Sequence, residues 1–344
     1  MSDPQLDFGF EGPVVPLAPT AKGKARTKKS APRPVIPVPA PLADAASPEA
    51  LARQLESHPD FRVLRRLQPC LQFEPAQGAV RHVVLLDTET TGLDASREKI
   101  IELALLRVEV DAGTGRPCGA VQVYDGLEDP GMPISDEIAA LTGISNDMVR
   151  GQRLDEARVA ELLAGADLII AHNAAFDRPF VEARLPVFEQ LPWACSFADI
   201  DWKSEGQSSA KLESLALSNG WFYDAHRAEM DCHALLAVLG QTLPQAQQTG
   251  LARLLLAGTQ TAYRLQATAA PFEAKDLLKA RGYRWNAEQR VWHTRLADEA
   301  ALQGECEWLR STVYGGRSAR VQLEKLHAGV KYSARGGEFS QLQI

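Results

Sequence analysis

The chain has 344 residues, and its 37 Lys and Arg against 44 Asp and Glu leave a formal net charge of −7. Five scattered cysteines with no Cys-x-x-Cys pair argue against a zinc site and a disulfide framework, and fit a reducing cytoplasm. No apolar run approaches membrane-spanning length, and the polar, Pro-rich first residues lack an apolar signal core, so a cytoplasmic protein without membrane contact is expected.

The charge is unevenly spread. Residues 1–44 hold six Lys/Arg and four Asp/Glu, residues 251–344 hold fourteen and nine, and the stretch between holds seventeen and thirty-one. An acidic middle between basic ends suits a carboxylate-rich catalytic domain whose grip on a polyanion lies elsewhere.

Residues 1–45 are rich in Pro, Ala and Lys, with Lys22, Lys24, Arg26, Lys28 and Lys29 close together. This composition cannot bury a core, and a disordered tail is expected. Within it, Gln5-Leu6-Asp7-Phe8-Gly9-Phe10 sets aromatics where no core can take them, which marks docking residues. The stretch resembles the short peptides with which bacterial replication and repair proteins bind the sliding clamp, with Gly9 inserted. The final Gln341-Leu342-Gln343-Ile344 is a fainter candidate for the same role.

Residues 46–80 read as a helical extension. Ser47 caps a helix with Pro48 at its first position, and Leu51 and Leu55 share a face. Pro59 breaks it, and Phe61, Val63, Leu64 and Leu67 make a second apolar stripe.

The main domain is expected over 81–245. Its first strand, Val83 to Leu86, ends in Asp87 and Glu89, which the period of two points to one face. Lys99 to Val110 and Ala120 to Tyr124 follow as strands, completing a meander of three. A short helix is expected after Ser135, a turn from Gly143 before 146–149, and a longer helix at 154–163. Asp167 to Ala171 is apolar enough for a buried parallel strand, and Phe176 to Arg184 is a helix before Pro186. A last strand at 193–195 precedes helices at 211–219 and 230–240. The order predicts an α/β fold with a mixed sheet, an antiparallel meander plus parallel strands, flanked by helices.

Residues 251–344 read as a small, basic α+β module. It has helices near 251–256 and 272–280, then a hairpin from Tyr283 to His293 with Trp285 and Trp292 beside its turn. Arg281, Arg284, Arg290 and Arg295 surround the tryptophans, so the module reads either as a small Trp core or as a contact for single-stranded nucleic acid.

Two more stretches complete the acid set. Asn173-Ala174-Ala175-Phe176-Asp177 opens a helix directly after a buried strand, and His226 stands five residues before Asp231, just inside another helix. With Asp87 and Glu89, in this order, the sequence resembles the DEDDh class of 3′–5′ exonucleases over about residues 81–243. That resemblance implies an RNase H-like fold, with Asp87, Glu89, Asp177 and Asp231 as ligands of two Mg²⁺ or Mn²⁺ ions and His226 as general base. Carboxylates are the donors hard cations take, and an imidazole titrates near neutrality, at about 6.5. The resemblance also implies contacts of Thr90, Leu93, Asn173 and Phe176 with the 3′-terminal nucleotide. Cys195 to Trp202 departs from the family's usual Asp-Thr and Arg-rich helix, which bears on substrate preference. His172, beside the buried strand, is expected to be structural.

The expected function is removal of nucleotides from single-stranded 3′ ends of DNA in replication fidelity or repair. The alternatives are a nuclease of RNA or short oligonucleotides, and a non-catalytic accessory protein of a replication complex.

Overall fold

The structure, a computed structural model, describes residues 47–344. The candidate clamp segment Gln5–Phe10 and the lysine cluster of the tail lie outside the described residues. Helix α1 (Pro48–Glu56) opens the described residues, and the compact unit Gln54–Ile344 holds all remaining elements.

The stretch after Pro59 is extended instead of forming the expected second helix. Strand β1 (Arg65–Arg66) is followed by β2 (Val80–Thr90), β3 (Ile100–Asp111) and β4 (Pro117–Leu127). Of the supposed helical stripe only Leu67 is buried, while Phe61 and Leu64 stay exposed, so there was no apolar face for a helix to cover. Helices α2 (Asp136–Thr142), α3 (Asn146–Val149) and α4 (Glu156–Leu163) are capped by Ser135, Ser145 and Asp155, each accepting a backbone N–H three residues on.

Strand β5 (Leu168–Ala171), α5 (Ala174–Arg184), β6 (Trp193–Cys195), α6 (Leu212–Ser218), β7 (Trp221–Phe222) and α7 (Ala228–Leu239) complete the main domain. Two-residue β7 pairs in parallel with β1. The main sheet has the order β4-β3-β2-β5-β6. Its β2–β3–β4 pairs are antiparallel and its β2–β5–β6 pairs parallel, the mixed sheet expected from the sequence. The parallel strands β2, β5 and β6 therefore end together at one edge of the domain.

Both faces of the sheet are covered. Val83 and Leu85 of β2 pack with Cys232, Leu235 and Leu236 of α7. Val84 and Leu86, pointing the other way, pack with Leu162 of α4 and Phe180 and Val181 of α5.

Helix α8 (Gly250–Thr259) leads into a second sheet. It is built from β8 (Ala262–Ala267), β9 (Arg284–Asn286), β10 (Val291–Leu296), β11 (Arg320–Leu326) and β12 (Glu338–Gln343), in the order β12-β11-β8-β10-β9, with all pairs antiparallel. Helices α9 (Lys275–Ala280) and α10 (Glu299–Trp308) cover one face, where Leu278 and Leu302 meet Leu265, Val321 and Leu323. The Trp hairpin is present: Trp285 and Trp292 face each other across β9 and β10 with ring centroids 5.5 Å apart. Trp292 packs on the module's core, whereas Trp285 is half exposed. The chain end, a candidate for clamp docking, is instead committed to β12, and Leu342 and Ile344 pack on the core. Among the described residues, no helix is long and apolar enough to cross a membrane.

Candidate active site

Strand β2 delivers the first two acids. Asp87 and Glu89 alternate with the buried Thr88 and Thr90 and share the face on which α7 packs. The register shifts between Glu89 and Thr90, a bulge that ends regular pairing beside the acids. Asp231 enters from the first turn of α7. One carboxylate oxygen from each of Asp87, Glu89 and Asp231 lies within 4.8 Å of the others.

Asp177 takes a different post. It is buried in α5, and its Oδ1 accepts the Thr88 hydroxyl at 2.8 Å. It stands outside the group of three, yet its charge acts on both Asp87 and Glu89.

These acids repel one another. Burial, then the charges of Asp177, Asp231 and Glu89, push Asp87 well above the usual carboxylate range. Burial and Asp231 push Glu89 up to about 8. Burial also raises Asp177 and Asp231, against the hydrogen bond of Thr88 to the first and of Tyr223 to the second. A half-buried cluster of this kind demands positive charge, and its all-oxygen donor set fits hard divalent cations.

His226 sits at the mouth of the site. It is exposed, its backbone is left-handed at φ 66°, and its N–H donates to Asp231 Oδ2 at 2.9 Å. The Arg227 N–H donates to the same oxygen at 3.2 Å, and the Tyr223 hydroxyl donates to Oδ1 at 2.8 Å. The segment carrying His226 is thus tied to the acid it precedes.

The four expected substrate contacts fall in different settings. Thr90 is buried and its hydroxyl donates to the Gly92 carbonyl at 2.7 Å, while Leu93 is 70% exposed. Asn173 is exposed in the left-handed region at φ 69°, without a side-chain cap bond. Phe176 is partly buried against Phe180, with centroids 5.1 Å apart. His172 meets the Ser196 hydroxyl at 2.6 Å through Nδ1, and burial lowers its pKa to about 4.

The sequence did not reveal Glu102 and Arg227. Glu102 lies on β3 directly opposite Glu89 and is fully buried. Like charges opposite each other destabilise a ladder, and here Arg227 neutralises the inner one. Its Nε and Nη2 donate to Glu102 Oε1 at 3.0 and 2.7 Å, and the Ala228 N–H donates to Oε2 at 2.9 Å. This pair fixes the start of α7, and with it the spacing between His226 and Asp231. The available signal was one acid inside the otherwise apolar run Ile100 to Leu106. Arg227→Ala is expected to lower activity by about 10–100-fold, as loss of a partner that orients metal ligands typically does. Arg227→Lys should recover only part, because an ammonium cannot reproduce the fork. Steady-state turnover of both variants checks this.

The clustered carboxylates stand at the end of the central strand of a mixed sheet, a group of donors that could hold a metal ion. The exonuclease family profile matches residues 84–239. That stretch is similar to the exonuclease family, and its Asp-x-Glu, Asp177 and His226-x₄-Asp231 elements stand in the order of the DEDDh type. The chain is 37% identical over 120 residues to the PolC-type DNA polymerase III of Halalkalibacterium halodurans, covering 31% of this chain and 8% of the polymerase. With the Bacillus subtilis protein of the same description it shares 35% over 182 residues, 49% of this chain and 12% of that one. The chain thus spans a small fraction of the polymerases it matches. Among solved structures it resembles exonuclease X in complex with 5′ overhanging duplex DNA at 22% identity, covering 49% of this chain and 99% of that one, with a TM-score of 0.34. It also resembles E. coli exonuclease I in complex with a dA16 oligonucleotide at 16% identity, covering 54% and 48%, with a TM-score of 0.37.

Proposed function

We propose that this chain is a metal-dependent enzyme that removes nucleotides from single-stranded 3′ ends of DNA, in the cytoplasm, in replication fidelity or repair. The observation that carries the reading is the gathering of Asp87, Glu89 and Asp231 within 4.8 Å, with Asp177 one hydrogen bond away from β2. The relatedness to replicative polymerases favours DNA over RNA.

In this reading Asp87, Glu89, Asp177 and Asp231 hold two Mg²⁺ or Mn²⁺ ions, which when bound offset the charge that builds on the phosphate and the departing 3′ oxygen. His226 takes the proton of the attacking water; its exposure gives water access, and its backbone bond to Asp231 holds it beside the acids. Leu93 lies against the terminal base, and Asn173 and Phe176 shape the pocket beneath the sugar. Thr90 fixes the turn at Gly92, so the backbone there lies close to the terminal nucleotide. Gln5–Phe10 serves as the candidate segment for a sliding clamp.

The test is nucleotide release from matched DNA and RNA, single-stranded and duplex, with and without Mg²⁺ or Mn²⁺. Ion-dependent release of mononucleotides from DNA 3′ ends is expected. Faster release from RNA would move the substrate class, and no release from any polymer would leave the accessory-protein reading.

A further inference from the structure

The second sheet has helices on one face only, and its other face meets the main domain beside the end of β6. On that helix-free face the register sets Arg284, His293, Gln266, Gln322 and Gln341 in one row across all five strands. The next row holds Arg295, Arg264, Glu324 and Phe339. Arg295 reaches the main domain: its Nη2 lies 3.2 Å from Asp199 Oδ1, and its guanidinium stacks 3.9 Å from the centroid of Tyr332.

Asp199 locates the junction. It follows β6, and its Oδ2 accepts the Cys195 N–H at 2.9 Å. Because β2, β5 and β6 are parallel, this point lies at the same edge as Asp87 and Glu89, two strand spacings away, or about 10 Å sideways. Between them stand the His172 ring and the exposed Phe197, edge to face at 5.7 Å.

The charges also fit. Glu324 answers Arg264 and Asp199 answers Arg295, but Arg284 and Arg290, both exposed at the β9–β10 hairpin, have no ion-pair partner among the described residues. Arg264 and Arg284 both act on His293, so the positive charge is focused on this face. The catalytic domain is acidic and would repel a polyanion everywhere except at bound cations. A basic face next to its active edge is where a phosphodiester backbone would be held.

We propose that the helix-free face of the second sheet holds the backbone of the single nucleic-acid strand whose 3′ end enters the acid site. The inference rests on the exonuclease reading and gives the module its role: a rigid handle for the strand upstream of the cut. Arg284 and Arg290 contact phosphates, and Gln322 and Gln341, which reach solvent at the far end of the row, offer amides without sequence preference.

The experiment uses the full chain carrying Asp87→Asn, so that the strand survives, with and without Arg284→Ala and Arg290→Ala. Binding of fluorescein-labelled oligothymidylates of about 4 and about 20 nucleotides is read by anisotropy over a salt series. The paired substitutions should weaken the long oligonucleotide about tenfold and flatten its salt slope by about 0.7 for each phosphate no longer neutralised, while moving the short one less than about twofold. Arg284→Glu should weaken the long one further. Equal affinity and equal slope for the long oligonucleotide would overturn the proposal. Nucleotide release by the parent chain is measured alongside: a parent that cleaves while the variants bind unchanged removes only the face, and a parent that neither cleaves nor binds removes the exonuclease reading beneath it.

Discussion

Asp87→Asn is expected to cut nucleotide release by on the order of 10³-fold or more and, at the same time, to make the metal-free protein more stable. The first effect follows from loss of a charged ligand at a site that must offset several kcal/mol of developing negative charge. The second follows from repulsion among the acids: Asp87 feels Asp177, Asp231, Glu89 and Glu102 in a partly desolvated place. The sign with pH is fixed by these shifts. Asp87 and Glu89 both titrate higher in the folded chain than in the unfolded one, so their contribution to stability is complete below about pH 4 and is lost as pH rises, that of Glu89 through about 8. In chelator, the parent's Tm should fall across that window, and Asp87→Asn should flatten the fall. Added Mg²⁺ should raise the parent's Tm at about pH 8 and leave that of the variant nearly unchanged. A variant that melts below the parent in chelator at that pH would mean the acids are not in conflict, and the case for cations at this site would lose its physical basis.

How much of this was legible in the sequence depends on how local the signal is. Asp87 and Glu89 could be read because two residues on one strand decide their direction. Asp231 and His226 could be read because five residues at a helix start fix their spacing. The main sheet was readable from apolar runs that no other element competes for. Glu102 and Arg227 were not readable, since their meeting joins positions 125 apart, and each alone looks like an ordinary charge. The extended stretch after Pro59 escaped for the same reason: Phe61, Val63, Leu64 and Leu67 fit a helical stripe as well as a half-buried extended segment, and only the presence of β7 as a partner decides. Asp177 was legible as an acid in the first turn of α5, but its hydrogen bond to Thr88, on the face of β2 opposite to the other acids, depends on tertiary packing.

Arg178→Ala should lower stability by about 3–5 kcal/mol, the largest effect expected of any substitution away from the acids. Arg178 follows Asp177 in α5 and is fully buried. Its Nε meets Glu182 Oε1 at 2.6 Å, and its two terminal nitrogens donate to the carbonyls of Lys331 at 2.6 Å and Gly329 at 2.7 Å. Its guanidinium also lies 5.2 Å from the Trp193 ring. The segment 328–335 thereby straps the second sheet to the helix that carries Asp177. Arg335 reinforces it through Glu182, the Tyr332 hydroxyl donates to Asp199 at 2.6 Å, and buried Lys331 donates to the Ala257 carbonyl at 2.6 Å. Removing the Arg178 guanidinium leaves the buried Lys331 carbonyl without its close donor, while the Gly329 carbonyl keeps Arg335 and Glu182 keeps Arg335 and Ser333. Thermal unfolding should show a drop of roughly 10 °C. Arg178→Lys should recover little, because a point charge cannot serve the carboxylate and both carbonyls at once. Assayed well below its melting point, Arg178→Ala should also turn over more slowly than the parent, since α5 loses the anchor one residue from Asp177. A variant that melts within about 1 °C of the parent would show that the strap does not hold the two sheets together, and the geometry of the strand handle would then have to rest on Arg295 and Asp199 alone.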